Sequence, residues 1–358
     1  MRKNRGGRMR KISLKKAVFA AFVGVVGTLT VGTVATAQEF TLKLHQFLPA
    51  QAHVPKNVLD VWADNVERDS GGRIKIERYP SMQLGGRPPE LIEQVTDGAV
   101  DIIWTVIGYT PGRFPRTEVF ELPFILPNAE VGSRAFYEMF ENEMKDEEFK
   151  DMHVLGVWTH GPGSFHSSKP IVNLEDLRGM KIRGASRTVN MLLEELGATP
   201  VGMPVPAVPE SLSKGVIDAA TLPWEVVLSL KVPELVHNHT EFTGNALYTA
   251  TFVFAMNNAT YDGLPDDLKK VIDDNSGFEF SAWAGVTQEA YASPSREIAR
   301  EMGNSIVVLD EEQSKIWRDA AQPVYDKWAA DMDERGFDGS ALIEEAEKLI
   351  AKYSAEQK

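Results

Sequence analysis

Among the residues able to do chemistry, Arg183 is the one whose neighbours give it a definite aim. It closes Met180-Lys181-Ile182-Arg183, an alternation of apolar and basic side chains that predicts a short strand ended by Gly184. Ser186 then stands where it can cap a helix through Leu196, with Val189, Leu192, Leu193 and Leu196 on the apolar stripe. Upstream, Asn173 or Asp176 can cap a short turn and Gly179 lets the chain reverse. An arginine at a strand end just before a helix start takes the crevice position where open α/β sheets collect ligands. Its planar fork meets both oxygens of a carboxylate, which a lysine cannot do. A strand-end arginine can equally pair with a surface acid, and the residues alone leave both roles open.

The other reactive groups fit their chemistry less well. Gly163-Ser164-Phe165-His166 sets a serine near a histidine but is not the G-x-S-x-G elbow that activates a nucleophile. His237-Asn238-His239 offers two imidazoles with no third metal ligand spaced near them. The glycines at 85–86 and 161–163 lack the G-x-x-x-x-G-K cradle for phosphate. The expectation is a binding protein with no catalytic residue, no metal and no cofactor.

The elements that must position Arg183 alternate in type, which gives the α/β class. Phe40 to Leu44 reads as a strand; Val58, Val61, Trp62 and Val66 follow at helical spacing until Gly71-Gly72; Ile74 to Ile76 is a second strand. A helix is expected over 88–96, then a nearly all-apolar strand over 100–106 of the kind buried in a covered parallel sheet. Strands over 119–125 and 153–158 flank a helix at 131–140, and the turn Gly161-Pro162-Gly163 is the expected passage to a second lobe. That lobe holds the Arg183 strand, the 206–214 segment and a strand over 216–220, and an apolar strand over 248–256 crosses back. A long helix over 278–302 should kink at Pro294, a last strand covers 306–308, and amphipathic helices over 312–332 and 341–353 finish the chain.

A chain of 358 residues with 43% hydrophobic content suits two lobes or one large domain. Residues 1–16 carry eight basic side chains and no acid, Ala17 to Val26 is apolar, and Ala35-Thr36-Ala37 precedes Gln38 as a small-residue cleavage site. This is the pattern of a secretory signal, with Met1 or Met9 as its start. Its removal takes eight positive charges and lowers the net charge from −13 to −21, which argues against nucleic acid or an anionic membrane as partner. With no cysteine there is neither a disulfide nor a lipid-attachment site, so the expected product is a free periplasmic protein held together by its core.

The segments DLRGMKIR (176–183), LGATPVGMPV (196–205) and GVIDAATLPW (215–224) resemble the solute-binding subunits of tripartite ATP-independent periplasmic (TRAP) transporters, the DctP-like family. LHQFLPAQAHV (44–54), YPSMQLGG (79–86), ELIEQVTDGAVDI (90–102), ELPFILP (121–127) and MNNATYDGLPDDLKKVI (256–272) extend the resemblance over nearly the whole chain after the signal, in the same order and spacing. It implies a two-lobed periplasmic binding protein, type II-like: lobe I from 38–160 plus about 250–285, lobe II from 161–249 plus about 286–310, a kinked connecting helix, and C-terminal helices from 311. It implies that Arg183 forks a ligand carboxylate, and that small and large membrane subunits receive the solute. A monomer is expected, with a dimer open. The rivals are a binding protein serving a chemoreceptor or an ATP-driven transporter, and an enzyme on the same two-lobed scaffold.

The resemblance also implies which positions line the pocket. They hold Phe47; Trp104, Ile107 and Tyr109; His160 and Phe165; Met203 and Val205; and Leu222 and Trp224. Aromatic residues fill cores as readily as pockets, so each of these could also be packing. The departures narrow the ligand. Sialic-acid-binding members place a second arginine where this chain has Gly163 and an asparagine where it has Leu222; the family's glutamate and tyrosine near 207–209 become Ala207 and Pro209. A polyhydroxylated acid would leave buried hydroxyls unpaired at about 1–3 kcal/mol each. The expected solute is a small monocarboxylate with an apolar or aromatic body, such as an aryl or branched 2-oxo or 2-hydroxy acid.

Overall fold

The computed structural model describes residues 38–357 and builds them on two sheets. The signal sequence, its cleavage site after Ala37 and the question of Met1 or Met9 lie outside the described residues. No helix among the described residues is long and apolar enough to cross a membrane.

The chain opens with β1 (Phe40–Gln46), α1 (Asp60–Asp69), β2 (Ile74–Tyr79), α2 (Leu91–Thr96) and β3 (Ile102–Val106), a β-α-β-α-β run that sets β2 and β3 parallel to β1 on either side. All five residues of β3 are buried, as its unbroken apolar text requires. The sheet is nevertheless mixed, because β10 (Thr251–Asn257) lies antiparallel between β3 and β4 (Met152–Thr159), giving the order β2-β1-β3-β10-β4. On α1 the residues Val66 and Trp62 are buried, Trp62 edge-on to Phe254 at 4.8 Å, while Val61 points outward. α3 (Ala129–Met139), capped by the Asn128 side chain, covers β4 from one side.

The second sheet has the order β11-β9-β5-β8-β6-β7. Its strands are β5 (Gly163–Ser167), β6 (Lys181–Gly184), β7 (Thr199–Gly202), β8 (Ala219–Pro223), β9 (Asn238–Phe242) and β11 (Ser305–Leu309). Between them run α4 (Arg187–Glu195), α5 (Val208–Ser213), α6 (Trp224–Val227) and α7 (Val232–Leu235). The chain changes sheet at residues 160–162, again at 243–250, and a third time along α10 (Phe278–Ala290) and α11 (Ala292–Glu301), which follow α8 (Asn258–Asp262) and α9 (Asp266–Asp274). Helices α12 (Glu311–Ala321), α13 (Pro323–Glu334) and α14 (Gly339–Glu356) close the chain, α13 against α4 and α14 against α3.

Several expected elements change. Residues 119–125 form no strand: a 3-10 helix spans Pro115–Glu121, and its buried Glu118 and Glu121 turn inward to Arg187 and Thr251 instead of alternating on a sheet. The strand expected at 216–220 is displaced to Ala219–Pro223, and that at 248–256 begins at Thr251. The long helix breaks at Tyr291, not at Pro294, because the missing N–H and the ring of a proline disturb the carbonyl four residues earlier, here Ala290. Pro323 likewise divides the helix expected over 312–332 and starts α13.

Candidate functional site

Arg183 leaves β6 between two parallel neighbours, β7 and β8, and is 2% exposed. The local cause is the turn that ends the strand: Ser186 caps α4 by accepting the Val189 amide, so backbone direction changes just after Arg183 and its side chain stays at the strand tip. Its Nε–H donates to the Met203 carbonyl at 3.0 Å and its Nη1 to the Thr221 carbonyl at 2.9 Å. The Thr221 hydroxyl in turn donates to the Arg183 carbonyl at 2.9 Å. These acceptors are neutral, and among the described residues no carboxylate lies within ion-pair distance of Arg183. Arg187, four residues on, shows the contrast: it pairs with both Glu118 and Asp331. A buried guanidinium held only by neutral groups, two carbonyls and the Tyr109 hydroxyl, keeps its charge uncompensated, a state worth several kcal/mol to an arriving anion.

Arg183 opens on a cavity of about 50 Å³, where one water needs about 10–15 Å³ on the same measure. Phe47 stacks on Trp104 at 4.7 Å and Trp104 on Phe252 at 5.3 Å, while Tyr109 meets Phe47 edge-on at 5.7 Å. The Tyr109 oxygen accepts the Val205 amide at 2.9 Å, so its own proton remains available beside Arg183. Burial raises the phenols of Tyr109 and Tyr248, so both stay protonated donors; the Tyr248 hydroxyl and the Trp104 indole N–H find no partner among the described residues. Burial holds His160 down at about 4, with Arg183 acting in the same direction. That imidazole is neutral at pH 7, donates through Nδ1 to the Gly161 carbonyl, and presents Nε2 as an acceptor.

Of the positions expected to line a pocket, Phe47, Trp104, Tyr109, His160, Arg183, Val205 and Leu222 meet at this cavity. Phe165 does not: its ring lies on the face of β5 covered by the C-terminal helices, 5.8 Å from Trp317 and 6.2 Å from Phe242. Trp224 turns away too, packing 5.0 Å from His166 and 4.9 Å from His239, because as the first residue of α6 it points behind the sheet while Glu225, about 100° further round the helix, faces the cavity. Met203 contributes its carbonyl to Arg183, but its side chain lines a separate groove beside α4. Ile107 is buried away from the cavity. Wall residues absent from the expectation include Tyr248, Phe252, Glu225 and Gln288. Tyr248 and Phe252 come from the return crossing and β10, Gln288 from α10, and Glu225 from the start of α6; the single clue in the text was that acid, directly after the apolar LPW.

The glycine at 163 is a spatial requirement. A Cβ there would sit 2.0 Å from Cε1 of Tyr248, so that ring occupies the space any side chain at 163 would need. Gly108 is similar, with a Cβ falling 2.5 Å from that of Ser186. His166 and His239 share a short bond, Nδ1 to Nδ1 at 2.8 Å, and no cluster of three or more metal-ligating side chains exists among the described residues.

Two mixed sheets joined by three crossings, with an uncompensated arginine at a strand tip in an aromatic cavity, define a two-lobed solute-binding protein of the periplasmic type. Residues 46–331 match the DctP family, bacterial extracellular solute-binding protein family 7, and the chain belongs to that family. Its structure is similar to that of a TRAP solute-binding protein from Rhodoferax ferrireducens in complex with copurified benzoate: TM-score 0.87, 51% identity, 89% of this chain and 99% of that one covered. A marine metagenome TRAP protein specific for aromatic acid ligands, crystallised with 3-hydroxybenzoate, gives 0.86 at 44% identity over 88% of this chain and 99% of its own. A Bordetella bronchiseptica relative with bound (R)- and (S)-mandelate gives 0.79 at 27% identity over 87% of this chain and 99% of its own.

Proposed function

We propose that this chain captures a small aryl monocarboxylate for a TRAP transporter, with Arg183 as the carboxylate clamp. The observation that carries the reading is the buried Arg183, bonded only to neutral groups at the head of an aromatic-walled cavity. The hydroxyl of Tyr109 adds a donor beside the guanidinium, and Phe47, Trp104 and Phe252 provide flat apolar walls for a ring. Three similar structures whose ligands are benzoate, 3-hydroxybenzoate and mandelate support the aromatic body. His160 and Leu222 complete the wall as neutral groups, which disfavours sugar acids and second carboxylates.

The same reading assigns the mobile parts. Residues 38–160 with about 250–285 form one lobe and 161–249 with about 286–310 the other, supported by the changes of sheet at 160–162 and 243–250. Closure of the lobes traps the solute, and the closed form is delivered to the small and large membrane subunits. The protein works as a monomer in the periplasm after cleavage behind Ala37.

The test is the thermal midpoint of the purified protein against a panel of organic acids, sugars and amino acids. A ligand at 100 times its Kd adds about 2.7 kcal/mol, which moves the midpoint by several degrees. Hits are expected among benzoates, mandelates and related aryl monocarboxylates. Hits confined to sugar acids, neutral sugars or cationic amino acids would overturn the assignment.

A further inference from the structure

The cavity contains a second ionisable group that the carboxylate clamp does not use. Glu225 lines it, is 3% exposed, and makes no ion pair with Arg183 although both face the same space. Its two oxygens have different surroundings. The Trp158 indole N–H donates to Oε1 of Gln288 at 2.8 Å, which fixes that amide with its Nε2 towards Glu225, where it donates to Oε1 at 3.2 Å. The other oxygen, Oε2, is buried and has no partner among the described residues. The amides of Glu225 and Gly161 lie near enough to favour the charged form, but burial outweighs them, and Oε2, with no hydrogen-bonded partner, is the oxygen free to carry the proton. Burial raises its pKa to about 8, with the charge of Glu289 acting the same way.

We infer that Glu225 is a specificity-determining residue whose Oε2–H donates a hydrogen bond to an oxygen on the ring of the ligand, beyond ion-pair reach of Arg183, so that the protein selects hydroxylated aryl monocarboxylates over their unsubstituted parents. The inference rests on the reading of Arg183 as the carboxylate clamp. It accounts for three features together: an acid placed in an otherwise apolar wall, a two-step donor chain that orients it, and an oxygen left without a partner. A hydroxyl is the substituent that suits the place best, because it accepts from Glu225 while the Nε2 of neutral His160, on the same cavity, is an acceptor for a donated proton. A ligand with hydrogen at this position leaves the buried carboxyl unpaired.

The experiment is calorimetric titration of the purified protein with benzoate, 3- and 4-hydroxybenzoate, and 3- and 4-methylbenzoate, repeated for Glu225→Gln and Glu225→Met. In the wild type the better hydroxybenzoate should bind at least about tenfold more tightly than benzoate and than its methyl counterpart of the same size, the scale set by leaving one buried polar group unpaired. Glu225→Gln should keep that ratio, since its amide N–H replaces the O–H while its oxygen still accepts from Gln288. Glu225→Met should bring the ratio to within about twofold, with benzoate still bound. An unchanged ratio in Glu225→Met would overturn the inference. So would a wild type that prefers methyl to hydroxyl, a result that needs no variant to fold. Arg183→Lys separates the two readings: it should weaken every aryl acid in parallel and leave the hydroxyl ratio intact, whereas failure of all benzoates to bind the wild type would remove the clamp and this inference with it.

Discussion

Replacing Arg183 separates a binding role from a structural one, because the two predict opposite effects on the ligand-free fold. In Arg183→Met the bonds to the Met203 and Thr221 carbonyls are lost, at about 0.5–1.5 kcal/mol each, but so is a buried charge with no counterion. Removing such a charge in favour of an apolar side chain of similar length offsets that loss, so the ligand-free variant should unfold in urea within about 1 kcal/mol of the wild type. Binding behaves differently. A bidentate carboxylate gives up two charge-assisted bonds of about 1.5–3 kcal/mol each, so affinity for benzoate or hydroxybenzoate should fall by about 3–5 kcal/mol, or more than a hundredfold in Kd. Arg183→Lys keeps the charge and one bond, and should sit between the two at about tenfold to a hundredfold. Calorimetry for affinity and urea denaturation for stability measure both sides. A ligand-free Arg183→Met that loses 3 kcal/mol or more, with affinity changed less than fivefold, would refute the clamp and make Arg183 a piece of scaffolding.

The remaining predictions concern the frame around the cavity. Glu121 is buried, and burial raises it to about 7; the folded state therefore holds its proton more tightly than the unfolded chain, and stability falls as the pH rises from about 4.5 to 7 before levelling. That single group accounts for roughly 3 kcal/mol at most, so Glu121→Gln, which keeps an oxygen for the Thr251 amide and hydroxyl, should be more stable than the wild type at pH 8 and should lose that advantage by pH 5 in urea titrations. Gly163→Ala sets a methyl 2.0 Å from the Tyr248 ring, so it should cost about 1–3 kcal/mol of stability and weaken aryl acids by displacing that wall; an unperturbed Kd would show that Tyr248 is not part of the pocket. Arg187→Ala strips the ion pairs from Glu118 and Asp331 and leaves Glu118 with the Trp328 indole as its donor. Because Arg187 is partly exposed, the expected loss is nearer 2 kcal/mol than the 3–5 of a fully buried pair, and a loss below about 0.5 would count against a role in tying α13 to α4.

The alternation of strands and helices was readable in the chain because period-2 and period-3.6 patterns are local, and the Arg183 strand with its Ser186 cap formed as those patterns require. Where the text was apolar without a period it failed: 119–125 looks like a strand, yet Glu121 and the adjoining Glu118 are satisfied by partners 130 and 69 residues away, and no window of local sequence contains them. The pocket divides in the same way. That Arg183 and Tyr109 line the cavity was legible, because Arg183 stands at the tip of β6 and Tyr109 in the turn just after β3, places in the fold as well as in the sequence. Trp224 and Glu225 show the limit, since one residue of helix rotation decides which lines the cavity, and it is the less conspicuous side chain that does. Gln288 was invisible altogether; its role depends on a contact with Trp158 across 130 residues.

The same geometry ties recognition to closure. The cavity is walled from one sheet by Trp104 and Phe252 and from the other by Arg183 and Leu222, so a ligand touches both lobes only when they are together. In the proposed closure Arg183 would be enclosed with only neutral partners, so that step without an anion is opposed by several kcal/mol of lost hydration. A carboxylate reverses the sign by supplying the missing counter-charge at the moment of burial. Turning a 1:99 equilibrium into 99:1 takes about 5.5 kcal/mol of differential affinity, a sum within reach of two charge-assisted bonds and one ring stacked between aromatic walls. A neutral ring of the same shape would meet the walls but leave the charge, and would not hold the lobes together. On the proposed reading, Arg183 would be a filter as well as a handle: it would make the closed form dependent on an anion being inside.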